Sequence, residues 1–409
     1  MSDNIAKRRM WEFPWSFRES FVVVFFLLII GIFLEFFIPL KNMLLSEYPA
    51  NIIIIGVYFT SLILTYLFAK NQIIDWLASV PAAVASISFY TLLVLLMGFI
   101  PQTKTSGFLS DIGFNHMQTS RAFIILSIFL LTVLGYTILK RISGKISIKN
   151  LAFFLNHFGL FIILIAGSLG SGDMVKVQLL VNKNDENNLA IKDKQSYQLP
   201  FTVELINFSI EEYSPELIFY SKKTGFPVIE KGDYPIDIRK GNKGTFACFS
   251  YEIIDYQPNS VYSDRSYKSS DQFGSTHAAY VKISGVQIST EGWISCRNYM
   301  FPEKHLEIND DYVLVMISPK PKKYSSLVNV YDKETKLSEV LIEVNKPCKF
   351  KGWTIYQYGF DNEMGRWSQK SVFEVIRDPW LPVVYVGIFM MLLGSIYLLW
   401  TGRILKTKA

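Results

Sequence analysis

Apolar residues fall along this chain in two unlike patterns. Six runs, at about 20–40, 51–69, 77–100, 122–139, 151–169 and 381–400, carry few charges and reach or approach the ~20 residues that cross a hydrocarbon core about 30 Å thick. Between the fifth and sixth, from 171 to 379, the sequence turns polar, alternating and rich in turn residues. The pattern predicts a mixed membrane protein: six transmembrane α-helices with one all-β domain inserted between helices 5 and 6.

The polar region reads as strands. VKVQLLV (175–181), FTVELINFSIEEY (201–213), TFACFSYEIIDY (245–256), AYVKISGVQI (279–288), YVLVMIS (312–318), SEVLIEV (338–344) and FKGWTIYQYGF (350–360) are rich in β-branched and aromatic residues. Turn clusters such as Lys240-Gly241-Asn242-Lys243-Gly244 separate them, as short strands require. With no helices between strands, pairing should be antiparallel, giving a sandwich or a partly open barrel. The Ser/Tyr/Asp-rich stretch 258–276 should be a long exposed loop or a hairpin tip.

Charge fixes an orientation. Lys7, Arg8, Arg9 and Arg18 precede helix 1, and Lys70 separates helices 2 and 3. Lys140, Arg141, Lys145 and Lys149 lie between helices 4 and 5, and Arg403, Lys406 and Lys408 follow helix 6. The opposite side holds only Lys41, Lys104 and Arg121 at the boundary. This bias predicts cytoplasmic termini and an extracytoplasmic β domain. The formal charge of +6 is then a topology signal, and no nucleic-acid partner is expected, because the basic residues flank helices instead of forming an aromatic-basic face. The first run is too long for a signal core, and Phe36 to Met43 offers no small-residue cleavage site, so it should stay as a helix.

Recognisable catalytic chemistry is sparse. The chain has no G-x-S-x-G, phosphate loop, H-E-x-x-H or paired-Cys zinc spacing, so catalysis by this chain alone is not expected. Cys248, Cys296 and Cys348 all lie in the β domain without a C-x-x-C; one disulfide with a free thiol, or three buried thiols, both fit. His277 and His305 are expected at the surface, and His116 in a solvated loop. Glu35 should reach the headgroups from the end of helix 1, with a proton relay as the alternative.

The exception is His157, preceded by Asn156, inside the run 151–172. An ionisable residue in a membrane helix is costly and needs a partner. Seven residues from the helix end place it roughly 10 Å deep at 1.5 Å per residue. Imidazole there can bond a neighbouring helix, ligate iron, zinc or copper, or pass protons. Gly159, Gly167 and Gly170, with Gly387 and Gly394 in helix 6, suit close helix packing or the approach of a flat ligand.

Several segments in order resemble the ResB-type cytochrome c biogenesis proteins of system II. They are Ile100-Pro101-Gln102 after a membrane helix, Ser120-Arg121-Ala122-Phe123 opening the next, and the HFGLFIILIAGSLGS run from His157. Phe201-Thr202-Val203-Glu204-Leu205 with Phe208 and Glu211-Glu212-Tyr213, then Gly352-Trp353-Thr354-Ile355-Tyr356-Gln357 and Arg377-Asp378-Pro379, complete the match over about 100–400. The family plan is three membrane helices, a large extracytoplasmic β domain and a closing helix. It implies four parts: residues 1–72 as an N-terminal extension with two helices, 73–170 as the three core helices, 171–379 as the β domain, and 380–409 as the closing helix and tail. The resemblance implies work with a CcsA/ResC-type partner to move haem b across the membrane and present it to Cys-x-x-Cys-His apocytochrome c. His157 would be the haem iron ligand, with Asn156 supporting it, and a thioredoxin-like thiol reductant a further partner. The partner's tryptophan-rich haem loop is absent here. Two alternatives stay open: a structural chaperone that docks apocytochrome without binding haem, and a thiol-handling protein using the three cysteines. A membrane-anchored binding module is the reading outside this pathway.

Overall fold

The computed structural model describes residues 10–37, 47–69, 71–103, 107–144, 150–228, 236–246, 249–286 and 288–406, with side chains to residue 400. Lys7, Arg8, Arg9, Lys41, Lys70, Lys104, Lys145, Lys149, Lys408 and Cys248 lie outside the described residues, as do the side chains of Arg403 and Lys406. The chain forms two compact units, Met1–Met174 with Asp378–Ala409, and Val175–Arg377.

The first unit is helical. Its helices are α1 (Phe17–Phe37), α2 (Ala50–Phe68), the short α3 (Gln72–Leu77), α4 (Val80–Phe99), the short α5 (Phe108–Asp111), α6 (Arg121–Ile142), α7 (Leu151–Leu169) and α8 (Leu381–Lys406). The six long ones are long and apolar enough to cross a membrane, and the chain is a multi-pass membrane protein. Their starts follow local chemistry. Ser120 Oγ accepts from Phe123 N at 3.3 Å to cap α6, and Asp378 Oδ1 accepts from Trp380 N and Leu381 N, both at 3.0 Å, to start α8. Such caps satisfy N–H groups that the first helical turn leaves unpaired. α6 is central, packing on α1, α2, α4 and α7.

α7 and α8 meet through glycine. A Cβ at either Gly159 or Gly387 would come within 2.7 Å of the other residue's carbonyl oxygen, and one at Gly394 would meet the Asn156 carboxamide at 2.9 Å. Removing the side chain lets two membrane helices approach closely where hydrophobic burial adds little. Gly170 makes room for the Trp380 ring, whereas Gly167 faces open space.

The second unit is all β, as the alternation predicted. Its strands are β1 (Val175–Asn182), β2 (Glu186–Lys192), β3 (Gln195–Glu212), β4 (Glu216–Ser221), β5 (Ile236–Asp237), β6 (Lys243–Phe246), β7 (Phe249–Ser263), β8 (Ser266–Ser269) and β9 (Thr276–Gly285). There follow β10 (Ile288–Ser295), β11 (Leu306–Glu307), β12 (Tyr312–Ile317), β13 (Pro321–Tyr331), β14 (Lys336–Glu343), β15 (Cys348–Phe350), β16 (Trp353–Phe360) and β17 (Lys370–Arg377).

An eight-stranded antiparallel sheet runs β14-β13-β3-β2-β1-β17-β16-β15. Its ends come together, β14 lying near β15 and β16, so the sheet curls into a nearly closed barrel. Alternate residues of β1, Val177, Leu179 and Val181, point inward with Phe201, Trp353 and Phe373. A five-stranded sheet (β10-β9-β7-β6, with β8 on β7) and a four-stranded one (β11-β12-β4-β5) share a second core, in which Leu217, Phe219 and Leu314 meet Ile253, Val281 and Ile294. Sandwich and partly open barrel are therefore both present, each with its own core.

Three segments expected as single strands contain a hairpin instead. TFACFSYEIIDY runs from β6 into β7, Phe246 pairing with Phe249, and FKGWTIYQYGF from β15 into β16, Phe350 pairing with Trp353. AYVKISGVQI is the β9–β10 hairpin, paired from Gly285 and Ile288. The stretch 258–276 is largely the β7–β8 hairpin, Ser263 pairing with Ser266 across Asp264 and Arg265. Both turn residues have positive φ, 52° and 62°, the conformation a two-residue hairpin loop demands.

Candidate functional site

His157 lies one turn from Phe153 on α7, and its ring stacks on the Phe153 ring with centroids 3.8 Å apart. Its Nδ1 is 2.9 Å from the Phe153 carbonyl oxygen. A carbonyl only accepts, so Nδ1 carries the proton, and Nε2 is left with its lone pair. Among the described residues Nε2 has no hydrogen-bond partner, and the side chain is half-buried. The imidazole is thus held in one orientation, and in its neutral form Nε2 carries the lone pair. That arrangement fits an iron ligand, which needs a neutral nitrogen donor held in place by its other ring N–H. Asn156, beside it, is turned to α8, where its Oδ1 accepts from Ser395 Oγ at 3.2 Å. No cluster of three or more His, Cys, Asp or Glu side chains with metal-binding spacing occurs among the described residues, so a metal held by His157 needs ligands from elsewhere.

Glu35 does not reach for headgroups. It is 7% exposed, accepting from Arg121 N at 2.8 Å and lying 3.2 Å from His116 Nε2. The Arg121 guanidinium donates to the Leu34 carbonyl at 2.8 Å. His116 is accordingly a half-buried partner of this carboxylate, not a solvated loop residue. A buried carboxylate must be hydrogen-bonded or paired, and α1 meets its partners only because it packs on α6 and α4. Gln102 ties down the same connection, donating to the Phe114 carbonyl at 3.0 Å and accepting from Met117 N at 2.9 Å.

In the β domain the surface expectation for His277 fails. It is 9% exposed, with Nδ1 2.8 Å from Tyr256 Oη and Nε2 3.4 Å from Arg366 Nη1 and 3.5 Å from Glu212 Oε2. Arg366 Nη2 and Trp367 Nε1 both donate to the Ser275 carbonyl, at 2.8 and 3.0 Å. Glu212 ends a strand of the barrel sheet, whereas Tyr256 and His277 belong to the second lobe. The cluster thereby joins the two cores. Tyr256, Arg366 and Trp367 were not singled out from the sequence, and Glu212 entered only within the Glu211-Glu212-Tyr213 segment of the resemblance; these residues stand 21 to 92 positions from their partners and no local spacing marks the cluster. His305 is half exposed and 3.9 Å from Glu307, at the surface as expected.

The described thiols are quiet. Cys296 and Cys348 are buried and unpaired, one in each core. Burial, reinforced by Glu212, pushes the Cys296 thiol up to about 12, and burial also raises that of Cys348. A thiol so raised holds almost no nucleophilic thiolate at neutral pH.

The residues that carried the resemblance in the β domain mainly build it. Lys351 and Gly352, both at positive φ, make the two-residue β15–β16 turn, since Phe350 pairs with Trp353. Trp353 is buried in the barrel core. Gln357 Nε2 donates to Ser371 Oγ at 2.8 Å, and Ser371 meets Ser326 at 2.7 Å, a buried polar chain inside the barrel. No curated protein matches the chain. Residues 305–370, from just before β11 to the first residue of β17, match the model of the ResB-like family; over that segment the chain is similar to ResB-like proteins, which is consistent with a ResB-type cytochrome c biogenesis protein.

Proposed function

We propose that this chain is the haem-handling subunit of a cytochrome c maturation complex, with His157 as the iron ligand. The observation that carries the proposal is the bond from His157 Nδ1 to the Phe153 carbonyl, which leaves Nε2 of the neutral ring as a free donor in an apolar helix. Haem is cargo here. Bound iron supplies the Lewis acid that a neutral imidazole nitrogen satisfies; the chain's own work is to hold that nitrogen in position. Asn156 supports the site indirectly, fixing α7 to α8 through Ser395. The basic-residue bias puts the α7 N-terminus and both chain termini in the cytoplasm and the β domain outside, so haem is taken up on the cytoplasmic side. A CcsA/ResC-type partner then supplies the remaining ligands and the attachment step to Cys-x-x-Cys-His apocytochrome c. Cys296 and Cys348 are buried thiols, which supports reduction of the apocytochrome by a separate thioredoxin-like protein.

The test is an absorption spectrum of the complex purified from membranes. His157→Ala should lose its haem and regain it with added imidazole. A variant with full haem and full cytochrome c assembly sinks the site. A second reading, a docking subunit that binds no haem, is favoured by the family match lying wholly within the β domain. On that reading assembly needs the β domain and is indifferent to His157.

A further inference from the structure

Resting on that reading, we infer that Arg141 receives the acidic edge of the ligand whose iron His157 takes. Arg141 lies in the last turn of α6, and its guanidinium carbon sits over the Phe153 ring, 5.4 Å from the centroid. Phe153 is the ring on which His157 stacks at 3.8 Å, so guanidinium and imidazole are both in contact with one aromatic side chain. Arg141 Nη2 also donates to Asn150 Oδ1 at 2.8 Å, which fixes the fork just before α7 begins. The side chain is exposed, and among the described residues it has no carboxylate partner. Its neighbour Lys140 does have one, in Asp75 at 3.9 Å.

The ligand's chemistry selects this end of the helix. A porphyrin bearing two carboxylates is apolar over its face and charged along one edge. Those carboxylates cannot lie in hydrocarbon without a large desolvation cost, so they turn to the nearest water. From His157 that is the N-terminal end of α7, about 10 Å away at 1.5 Å per residue, where Arg141 and Asn150 stand. A guanidinium offers two parallel N–H donors to a carboxylate, which an ammonium cannot match. Arg141 would therefore set which edge of the cargo faces the cytoplasmic surface, while His157 sets where the metal sits.

The experiment crosses an edited residue with an edited ligand. The purified full chain in detergent is titrated with ferric protoporphyrin IX and with its dimethyl ester, and binding is followed in the Soret band. Arg141→Ala should weaken binding of the free acid about ten-fold and leave the ester unchanged, and Arg141→Lys should fall between. Equal weakening of both ligands would mean a structural role and would overturn the inference. So would an Arg141→Ala chain that binds the free acid normally while His157→Ala does not; the iron-ligand reading then survives alone. If His157→Ala binds the free acid as the unaltered chain does, the iron-ligand reading itself falls, and this inference with it.

Discussion

His157 and His277 make a natural pair for comparison, one in each unit of the molecule. His277 has both ring nitrogens engaged, by Tyr256 on one side and Arg366 with Glu212 on the other. Its neighbours bring donors and acceptors that pair with one another, including the 3.8 Å approach of Arg366 to Glu212. His157 has one nitrogen engaged, by its own helix, and stacks on an aromatic ring. A histidine with every partner satisfied holds structure together, whereas a ring nitrogen with no partner among the described residues suits the ligand role proposed for His157. Burial alone would have ranked them the other way, since His277 is the more enclosed.

The sharpest way to break this contrast is to exchange readouts between the two sites. His157→Ala should cut haem copurifying with the complex by at least ten-fold, the size expected when even a supporting group of a metal site is lost. Its effect on unfolding should be small, because the side chain is half-buried and makes one backbone bond. His277→Gln should leave the haem spectrum unchanged. Loss of haem in both variants would erase the distinction.

Next in size is Arg366→Ala, which leaves the Glu212 carboxylate without its cation between the two cores. Breaking a fully buried pair costs about 3–5 kcal/mol. Arg366 and Glu212 are 19% and 18% exposed, so we expect about 2 kcal/mol in denaturant unfolding of the full chain. Adding Glu212→Gln should recover part of that loss by removing the orphaned charge. A double variant no more stable than the single one would show that the charge is not what matters. His277→Gln should be milder, about 1 kcal/mol, the usual worth of a hydrogen bond whose partners can still pair elsewhere.

What the sequence made legible follows from the range over which each signal acts. Membrane helices and strands announce themselves by periodicity over ten to twenty residues, and all six spans and the all-β class were readable that way. Sandwich against barrel was not, because which strands share a core is set by pairings such as β3 with β13 and β1 with β17, distant in the chain. The same distance hid the partners of Glu35 and His277. Each looked solitary in its own segment, and solitary polar residues default to the surface. His157 stood out because an apolar helix is a background against which one imidazole is conspicuous. The Phe153 carbonyl that fixes its tautomer is four residues away, a helical relation, yet a sequence does not say which acceptor a ring nitrogen will choose.

The smallest expected effect probes whether pairing in the β domain extends to its surface turns. Asp332 opens the β13–β14 turn, accepting from Glu334 N and Thr335 N at 2.9 and 2.8 Å, and its other oxygen is 2.5 Å from Lys351 Nζ. The Lys351 ammonium, then those two backbone N–H groups, bring its carboxyl down from 3.8 to about 2. A carboxyl held lower in the folded state contributes stability above pH 3.8, and that contribution drains away as pH falls through about 2. Lys351→Ala removes the leading cause and leaves the backbone donors in place. The carboxyl should then titrate between about 2 and 3.8, moving the onset of this acid-labile contribution to higher pH; the carboxyl carbon shift of Asp332 across pH 1–6 measures it. A value still near 2 in the variant would mean that the turn's own N–H groups hold the carboxylate. In that case the ion pair beside the Gly352-Trp353 turn is incidental, unlike the pairing around His277.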